Sequence, residues 1–367
     1  MTHLAISASG DAYVSGLTGG SFPVTPSAPQ RCFGGLTYGA FVAHLDRGGA
    51  LRDATYAGEN VLSVLGMSLA ADGAVMLASL SAGSSAISEI RFGADGQKAG
   101  TCLSPSVLNA ATMFGNPISG AALASSSSSP VTPGELITLT GFGIGPDAGV
   151  AYEPDPQGGI PRSLDGVQVL FDGTPAPILY AHSRQINALA PVELSGQTTT
   201  VITVLLNQVV AGSITVPVAE FGAPGIFRSR PGASSQAAAV NEDGTLNGPS
   251  NPAARGSLVS VFGTGFGLVA PVCATGGLNP HEPAPLAPGL AAFIANAQLD
   301  GLPVVYFPAA YAGTAPDQPC GLEQLTFAVP NDVSPGVYEF YPWSVMIRPG
   351  GDELVVPGSV GATISVK

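Results

Sequence analysis

Residues 133–143, PGELITLTGFG, indicate an all-β fold, because apolar and polar residues alternate along them and a glycine-rich turn follows. Such alternation is typical of a half-buried β-strand. The pattern returns as ARGSLVSVFGTGFG (residues 254–267). The two stretches therefore predict the same strand and the same turn at two places in one chain.

Two further matches follow each stretch, in the same order. Residues 172–180 resemble residues 300–306, and residues 185–191 resemble residues 323–330. Because the order is preserved, we predict two copies of one β fold. The second copy is the longer one in the segment that ends at Pro330, and the excess contains Cys320.

The composition of the 367 residues favours an all-β protein with frequent turns. Glycine (49) and proline (33) are abundant, which disfavours long helices. The net charge of −13 disfavours binding to nucleic acids, because phosphates repel an acidic surface. No apolar run is long enough to cross a membrane, so no membrane span is predicted. A short turn of helix is expected in residues 104–115.

The N-terminal hundred residues follow a different plan. Short strands are predicted at 3–9, 12–17, 40–45 and 51–56, and again at 67–71, 74–80 and 87–92. Four antiparallel strands repeated at this spacing are typical of propeller blades. The motifs GDAYVSGLT (10–18), FPVTP (22–26) and AFVAHLD (40–46) resemble the bacterial SBBP β-propeller repeat. The resemblance implies about two blades, a number below the four to eight that close a propeller.

An incomplete propeller implies that further blades lie upstream of residue 1. The start of the chain has neither a basic segment nor a long apolar segment, so it does not resemble a signal peptide. We therefore expect the export signal to lie upstream as well. The predicted location is extracellular or at the cell surface.

The motifs PGIF (224–227), AAAVNEDGTLN (237–247) and PSNPAARG (249–256) carry a second resemblance. The repeated unit is similar to the C-terminal region of Solibacter-family acidobacterial proteins and to IPT/TIG immunoglobulin-like domains. This implies two tandem immunoglobulin-like β-sandwiches, in residues 104–222 and 223–367, preceded by the incomplete propeller-like segment in residues 1–103. The resemblance implies secretion, but no reaction.

The four cysteines, Cys32, Cys102, Cys273 and Cys320, are too widely spaced for a zinc site or a redox CxxC motif. Cys273 follows the second glycine-rich turn and Cys320 lies in the excess of the same copy, so we predict a disulfide between them. Cys32 and Cys102 are candidates for a second disulfide across the blade segment. The alternative for each cysteine is a small buried apolar residue.

The sequence predicts no catalytic residue, no metal site and no cofactor. Each glycine-rich turn is followed by a loop, whereas a phosphate-binding loop needs a helix there. There is no G-x-S-x-G motif, and a hydrolase that uses His182 is only a remote alternative. Most acidic residues neighbour glycine or proline, where they stabilise turns. Calcium binding by loop acids such as Glu242 and Asp243 is a second alternative.

The segment YEFYPW (338–343) contains the only tryptophan. In a strand, Tyr341 and Trp343 point to the same face, so we predict that they are candidate ligand contacts. The predicted function is a non-catalytic structural or interaction module, acting as a spacer, adhesin or surface anchor in a larger secreted protein. The alternative is a carbohydrate-binding module of an extracellular polysaccharide-acting system. The predicted partner is a glycan or another surface protein.

Overall fold

The computed structural model describes most of the chain, as strands joined by turns. The described residues are 3–18, 22–25, 27–30, 39–57, 61–81, 84–92, 102–111, 130–155, 158–219, 224–229, 236–286, 290–296, 305–347, 353–357 and 362–367. The backbone alone is described at 81–86, 88, 102–106, 290–296, 305–308, 340–347 and 353–357. Within these ranges the only helix is a 3-10 turn at Val192–Leu194, and the fold is all-β, as predicted.

Seven antiparallel strands form two sheets in the N-terminal region. These strands are β1 (His3–Ile6), β2 (Ala12–Thr18), β3 (Gly39–Leu45), β4 (Leu51–Ala57), β5 (Val61–Leu69), β6 (Val75–Ser81) and β7 (Ser84–Ile90). The first four make one sheet in chain order, close to the four predicted strands, and the last three make another. A small core that includes Ala40, Val42, Val64 and Leu77 packs between the two sheets.

Nine strands form the first sandwich. They are β8 (Cys102–Asn109), β9 (Leu136–Phe142), β10 (Val150–Ala151), β11 (Val167–Phe171), β12 (Thr174–Pro175), β13 (Ile178–His182), β14 (Gln185–Leu189), β15 (Thr199–Leu206) and β16 (Val209–Pro217). One sheet has the order β10-β13-β14-β9-β8, and the other has the order β12-β11-β15-β16. All strand pairs in both sheets are antiparallel.

The core of the first sandwich lies between these two sheets. Alternation along β11 buries Val169 and Phe171 and leaves Gln168 half-exposed. Ile137 of β9 and Ile186 of β14 belong to the same buried cluster from the facing sheet. Burial of each such side chain stabilises the fold by about 1.5–3 kcal/mol.

Strand β8 contradicts the short helical turn expected in residues 104–115 as far as Asn109, and residues 112–115 lie outside the described residues. It pairs with β9 from Cys102, opposite Phe142, to Asn109, opposite Ile137. Val107 of this strand is buried in the sandwich core. Pairing along β9 satisfies the backbone groups and buries an apolar side chain, whereas an isolated turn of helix is only marginally stable.

The second sandwich also has nine strands. They are β17 (Gly225–Ile226), β18 (Ala239–Asn241), β19 (Leu258–Thr264), β20 (Leu290–Asn296), β21 (Val305–Thr314), β22 (Glu323–Ala328), β23 (Gly336–Ile347), β24 (Glu353–Pro357) and β25 (Ala362–Val366). They form one continuous sheet, β17-β19-β22-β21-β20-β23-β24, in which β18 also pairs with β19 and β25 with β23. The sheet bends back on itself, so that Val261 and Phe327 share one core with Tyr338 and Ile364.

The central strands of the two copies have the same register. Leu136 of β9 lies opposite Leu189 of β14, and Leu258 of β19 lies opposite Ala328 of β22. The shared register supports the prediction, made from the repeated motifs, that the chain contains two copies of one fold.

The β13–β14 and β21–β22 hairpins correct one residue match between the two copies. Both are irregular at the same point, where Tyr180 lies opposite Asn187 in the first copy and Tyr311 lies opposite Thr326 in the second. Tyr311 is therefore the structural equivalent of Tyr180. The sequence match had placed Tyr306 there, because Tyr306 follows Asp300-Gly301 at nearly the spacing at which Tyr180 follows Asp172-Gly173. Tyr311 lies five residues further along the same strand.

Candidate functional site

The disulfide predicted in the second sandwich joins two of its loops. Cys273 and Cys320 are bonded, and their Cα atoms lie 6.0 Å apart. Cys273 lies between β19 and β20, and Cys320 lies in residues 315–322, which connect β21 to β22. The equivalent connection of the first sandwich consists of residues 183–184 only. Much of the excess in the second copy therefore forms the loop that carries Cys320.

The loop that carries Cys320 contacts the first sandwich directly. Cys320 is 1% exposed and belongs to the same apolar cluster as Leu136 and Leu189 of the first sandwich. Next to it, Gly321 has a φ of +88°, and an added Cβ would lie 2.5 Å from the backbone oxygen of Gly134. Glycine is the residue that fits both the left-handed backbone and this close approach.

The loop that carries Cys273 adds polar contacts to the same interface, which we call the sandwich joint. The N–H of Ile160 donates to the backbone oxygen of Gly276 at 2.9 Å. The N–H of Val192 donates to the Thr275 hydroxyl at 3.0 Å, and that hydroxyl donates to a carboxylate oxygen of Glu193 at 2.6 Å. The disulfide therefore holds together two loops of the second sandwich that both contact the first.

Thr264, at the end of β19, completes the sandwich joint. Its side chain is fully buried, and its hydroxyl oxygen accepts a hydrogen bond from the N–H of Leu136 at 2.8 Å. The shared register makes Thr264 the equivalent of Phe142, which ends β9 in the first sandwich.

Phe142 makes an equivalent contact with the N-terminal region. It packs against the cluster of Phe22, Val24 and Tyr56, of which the first two belong to the FPVTP motif. The guanidinium carbon of Arg184 lies 5.5 Å from the centre of the Phe142 ring. Arg184 lies in the β13–β14 turn, the counterpart of the loop that carries the disulfide. Each sandwich therefore uses the same end to contact the region that precedes it.

A buried carboxyl group lies beside the sandwich joint. Glu323, the first residue of β22, accepts a hydrogen bond from the N–H of Phe266 at 2.8 Å. It lines a cavity of about 20 Å³ together with Gly134 and Cys320. Burial raises the pKa of Glu323 well above its ordinary value, and the charge of Glu135 raises it further, whereas the Phe266 N–H acts in the opposite direction.

This raised pKa predicts a loss of stability as the pH increases. The folded state holds the Glu323 proton more tightly than the unfolded state, so the stabilisation is complete below the ordinary carboxyl pKa of about 4.3 and decreases above it. Glu323→Gln keeps an acceptor for the Phe266 N–H and carries no charge. We expect this variant to have a higher Tm than the wild type at pH 8 and a similar Tm at pH 4.

Thermal melting from pH 4 to pH 8 tests this expectation. The matched control is Glu153→Gln, a substitution at an exposed carboxylate of the first sandwich, which should leave the pH profile of the wild type unchanged. Parallel profiles for the wild type and Glu323→Gln would show that Glu323 is not the group that links stability to pH.

A groove lies at the surface of the sandwich joint, and we call it the joint groove. It consists of two hollows of about 330 and 410 Å³ that share Gln318 and Leu322 in their walls. Tyr152 and Phe227 line the first hollow, and Phe262 lines the second. None of the described residues that line the two hollows carries a charge. Neither the groove nor its lining residues was predicted from the sequence.

Four of the predicted site residues lie wholly or partly outside the described residues. Cys32 is one of these, and for Cys102, Tyr341 and Trp343 the backbone alone is described. The backbone of Trp343 pairs with β20 on one side and with β24 on the other. The second disulfide and the ligand contacts of Tyr341 and Trp343 stay predictions.

The other polar residues singled out from the sequence make local contacts. Nδ1 of His182 accepts a hydrogen bond from the N–H of Arg184 at 3.2 Å. Glu242 accepts one from the N–H of Leu258 at 3.2 Å, and Asp243 accepts one from the N–H two residues further along its own turn, at 3.0 Å. Within the described ranges, no three His, Cys, Asp or Glu side chains come together as a metal-binding group.

Comparison with known proteins adds little to this picture. No family model matches the chain, and no curated protein matches it. One solved structure, provisionally described as a membrane-anchored protein from Corynebacterium diphtheriae, aligns with 100% of this chain over 89% of its own length. The two chains are 11% identical, and the TM-score is 0.17. This likeness is too low to carry an argument. In the part of the chain that the structure describes, no helix has the length and apolar character needed to cross a membrane.

Proposed function

We propose that the chain is a non-catalytic structural module of an extracellular or cell-surface protein, in which the two sandwiches form a rigid spacer. The observation that carries this proposal is that each sandwich contacts the preceding region with the same end, through Phe142 in one copy and Thr264 in the other. When each domain contacts the preceding one with the same end, successive domains follow one another in one direction. That arrangement suits a spacer, an adhesin stalk or an anchoring unit.

Rigidity follows from the composition of the sandwich joint. Domains that share only a small polar interface are expected to move relative to one another. Here the interface combines a buried apolar cluster around Cys320, hydrogen bonds to Thr264 and Thr275, and the close approach of Gly321 to the first sandwich. Each of these contacts is lost if the sandwiches separate, so together they oppose bending at the joint.

The disulfide supports a location outside the cytoplasm. Disulfides persist in oxidising compartments and are rare in the reducing cytosol. Antibodies against the chain should therefore label intact, unpermeabilised cells of the producing bacterium. Peptide mapping of the protein, extracted with its thiols blocked, should recover the Cys273–Cys320 cross-link. Labelling that requires permeabilisation, together with alkylated Cys273 and Cys320, would contradict this location.

We also propose that the two N-terminal sheets are blades of a β-propeller. They pack face to face, and the three-stranded sheet carries exposed apolar side chains, of which Ile87 is 74% exposed and Leu62, Leu65 and Leu80 are also exposed. Blades of a propeller cover both faces of each sheet. An experimental structure of the whole gene product should show another sheet against Leu62 and Ile87. Solvent at that face in the whole protein would contradict the proposal.

A further inference from the structure

We propose that the joint groove binds a neutral oligosaccharide. The groove combines aromatic rings with uncharged hydrogen-bonding side chains, and both sandwiches contribute to its walls. This inference goes beyond the spacer function and does not depend on it. The proposal makes no use of Tyr341 and Trp343, whose side chains lie outside the described residues.

The walls of the groove provide surfaces for stacking. Tyr152, Phe227 and Phe262 are all half-buried, so part of each side chain faces solvent and part is held by its neighbours. Leu179 and Leu322 also line the groove. The apolar C–H faces of sugar rings stack on aromatic side chains that are held in this way.

Polar groups without protein partners lie along the same groove. Oδ1 of Asn187 accepts hydrogen bonds from the Thr138 hydroxyl at 3.1 Å and from Gln185 Nε2 at 2.9 Å, and its Nδ2 has no partner among the described residues. The hydroxyl of Tyr152 and the exposed carboxamide of Gln318 also make no hydrogen bond within the described part of the chain.

These groups match the hydrogen-bonding needs of sugar hydroxyls. Sugar hydroxyls both donate and accept, and they are recognised by donors and acceptors at fixed positions. Asn187 Nδ2 donates, while the Tyr152 hydroxyl and the Gln318 carboxamide do both. The amide of Asn187 is held in its orientation by two hydrogen bonds, so its donor is positioned before a ligand arrives.

The charges of the protein favour a neutral ligand over an anionic one. None of the described groove residues is charged, and the net charge of −13 repels anionic polysaccharides at long range. An extended peptide is less favoured, because peptides of this kind add to free strand edges. At the groove the edge of β13 is already covered, since β10 pairs with it and the N–H of Tyr152 donates to the backbone oxygen of Leu179 at 2.9 Å.

The disulfide is expected to affect binding, although neither cysteine lines the groove. Tyr152 and Asn187 belong to the first sandwich, whereas Phe227 and Gln318 belong to the second. Gln318 lies in the loop that the disulfide ties down at Cys320. Loss of the cross-link should therefore loosen one wall relative to the other and weaken binding.

Titration calorimetry on the full chain with cellohexaose, xylohexaose and mannohexaose tests the proposal, with trigalacturonic acid as the charged probe. At least one neutral hexaose should bind with a Kd of about 1 mM or tighter. Tyr152→Ala and Gln318→Ala should each weaken binding about tenfold, which corresponds to 1.4 kcal/mol. Gln197→Ala, at an exposed glutamine that does not line the groove, is the matched control and should bind like the wild type.

Several results would overturn the proposal. The first is that none of the three neutral hexaoses binds at about 10 mM, ten times the expected Kd. The second is that trigalacturonic acid binds more strongly than the neutral hexaoses. The third is that binding of a neutral hexaose is lost on Trp343→Ala but not on Gln318→Ala. If Tyr152→Ala does not fold, Gln318→Ala and Tyr152→Phe decide the question. Gln318 is exposed, and Tyr152→Phe removes only the hydroxyl. If both variants bind the hexaose as tightly as the wild type, the groove is not the binding site. This outcome does not bear on the spacer function.

Discussion

Replacing Cys273 and Cys320 together by alanine is expected to lower the free energy of unfolding of the second sandwich by about 4 kcal/mol. The two residues are 47 positions apart, and the cross-link restricts the unfolded chain over that whole loop. Denaturant unfolding of the wild type and the double variant under non-oxidising, thiol-free conditions measures the difference. Intact mass before and after reduction shows independently whether the bond is present.

The double variant also has an internal control. Adding a reductant to it should change the stability of the second sandwich no further, because the bond in question is already absent. Two free thiols at Cys273 and Cys320 in the purified wild type, or equal stability of wild type and variant, would contradict this role of the disulfide.

Gly321→Ala is the second substitution expected to have a large effect. A Cβ at this position would lie 2.5 Å from the backbone oxygen of Gly134 and 2.5 Å from a methyl carbon of Leu189. The left-handed backbone, with φ of +88°, adds a cost of about 1–2 kcal/mol for any residue with a Cβ. Overpacking adds about 1–3 kcal/mol unless the two sandwiches move apart.

Gly244→Ala separates these two contributions. Gly244 has a φ of +81° in the same sandwich, but no atom lies within 4 Å of an added Cβ. It should show the backbone cost alone, whereas Gly321→Ala should lose about 2 kcal/mol more in denaturant unfolding. Equal losses would mean that the loop at Gly321 does not press on the first sandwich.

Much of the fold could be predicted because it depends on patterns among residues that are close together in the sequence. Alternation along residues 133–143 and 254–267 predicts the strands that became β9 and β19, and the repeat of the motifs predicts the shared register. Turn residues such as Gly244 mark where strands end. The disulfide could be predicted because Cys273 and Cys320 both lie in loops of the longer copy.

The sandwich joint could not be predicted in the same way. Its contacts join residues far apart in the chain, such as Leu136 with Thr264 and Val192 with Thr275. The equivalent positions Phe142 and Thr264 make equivalent contacts with different chemistry, so no shared motif indicates them. A signal was nevertheless present, since the longer copy carries a Cys-Gly pair in its extra loop, and such an excess often reflects an added contact.

The joint groove could not be predicted for the same reason. Tyr152, Asn187 and Gln318 come from three separate segments and meet only when both sandwiches are docked. Each is an ordinary loop or strand residue by its local sequence. The aromatic run at residues 338–343 was more conspicuous, which is why the sequence directed attention to Tyr341 and Trp343 instead.

Hydrogen–deuterium exchange of the wild type and of a variant without the disulfide shows whether the cross-linked loops of the second sandwich hold the first. In the Cys273→Ala, Cys320→Ala variant, peptides containing Ile160 and Val192 of the first sandwich should exchange faster than in the wild type, because their N–H groups donate to Gly276 and Thr275. Peptides from the β15–β16 hairpin should be unchanged. Faster exchange confined to the second sandwich, with Ile160 and Val192 as protected as before, would contradict the account.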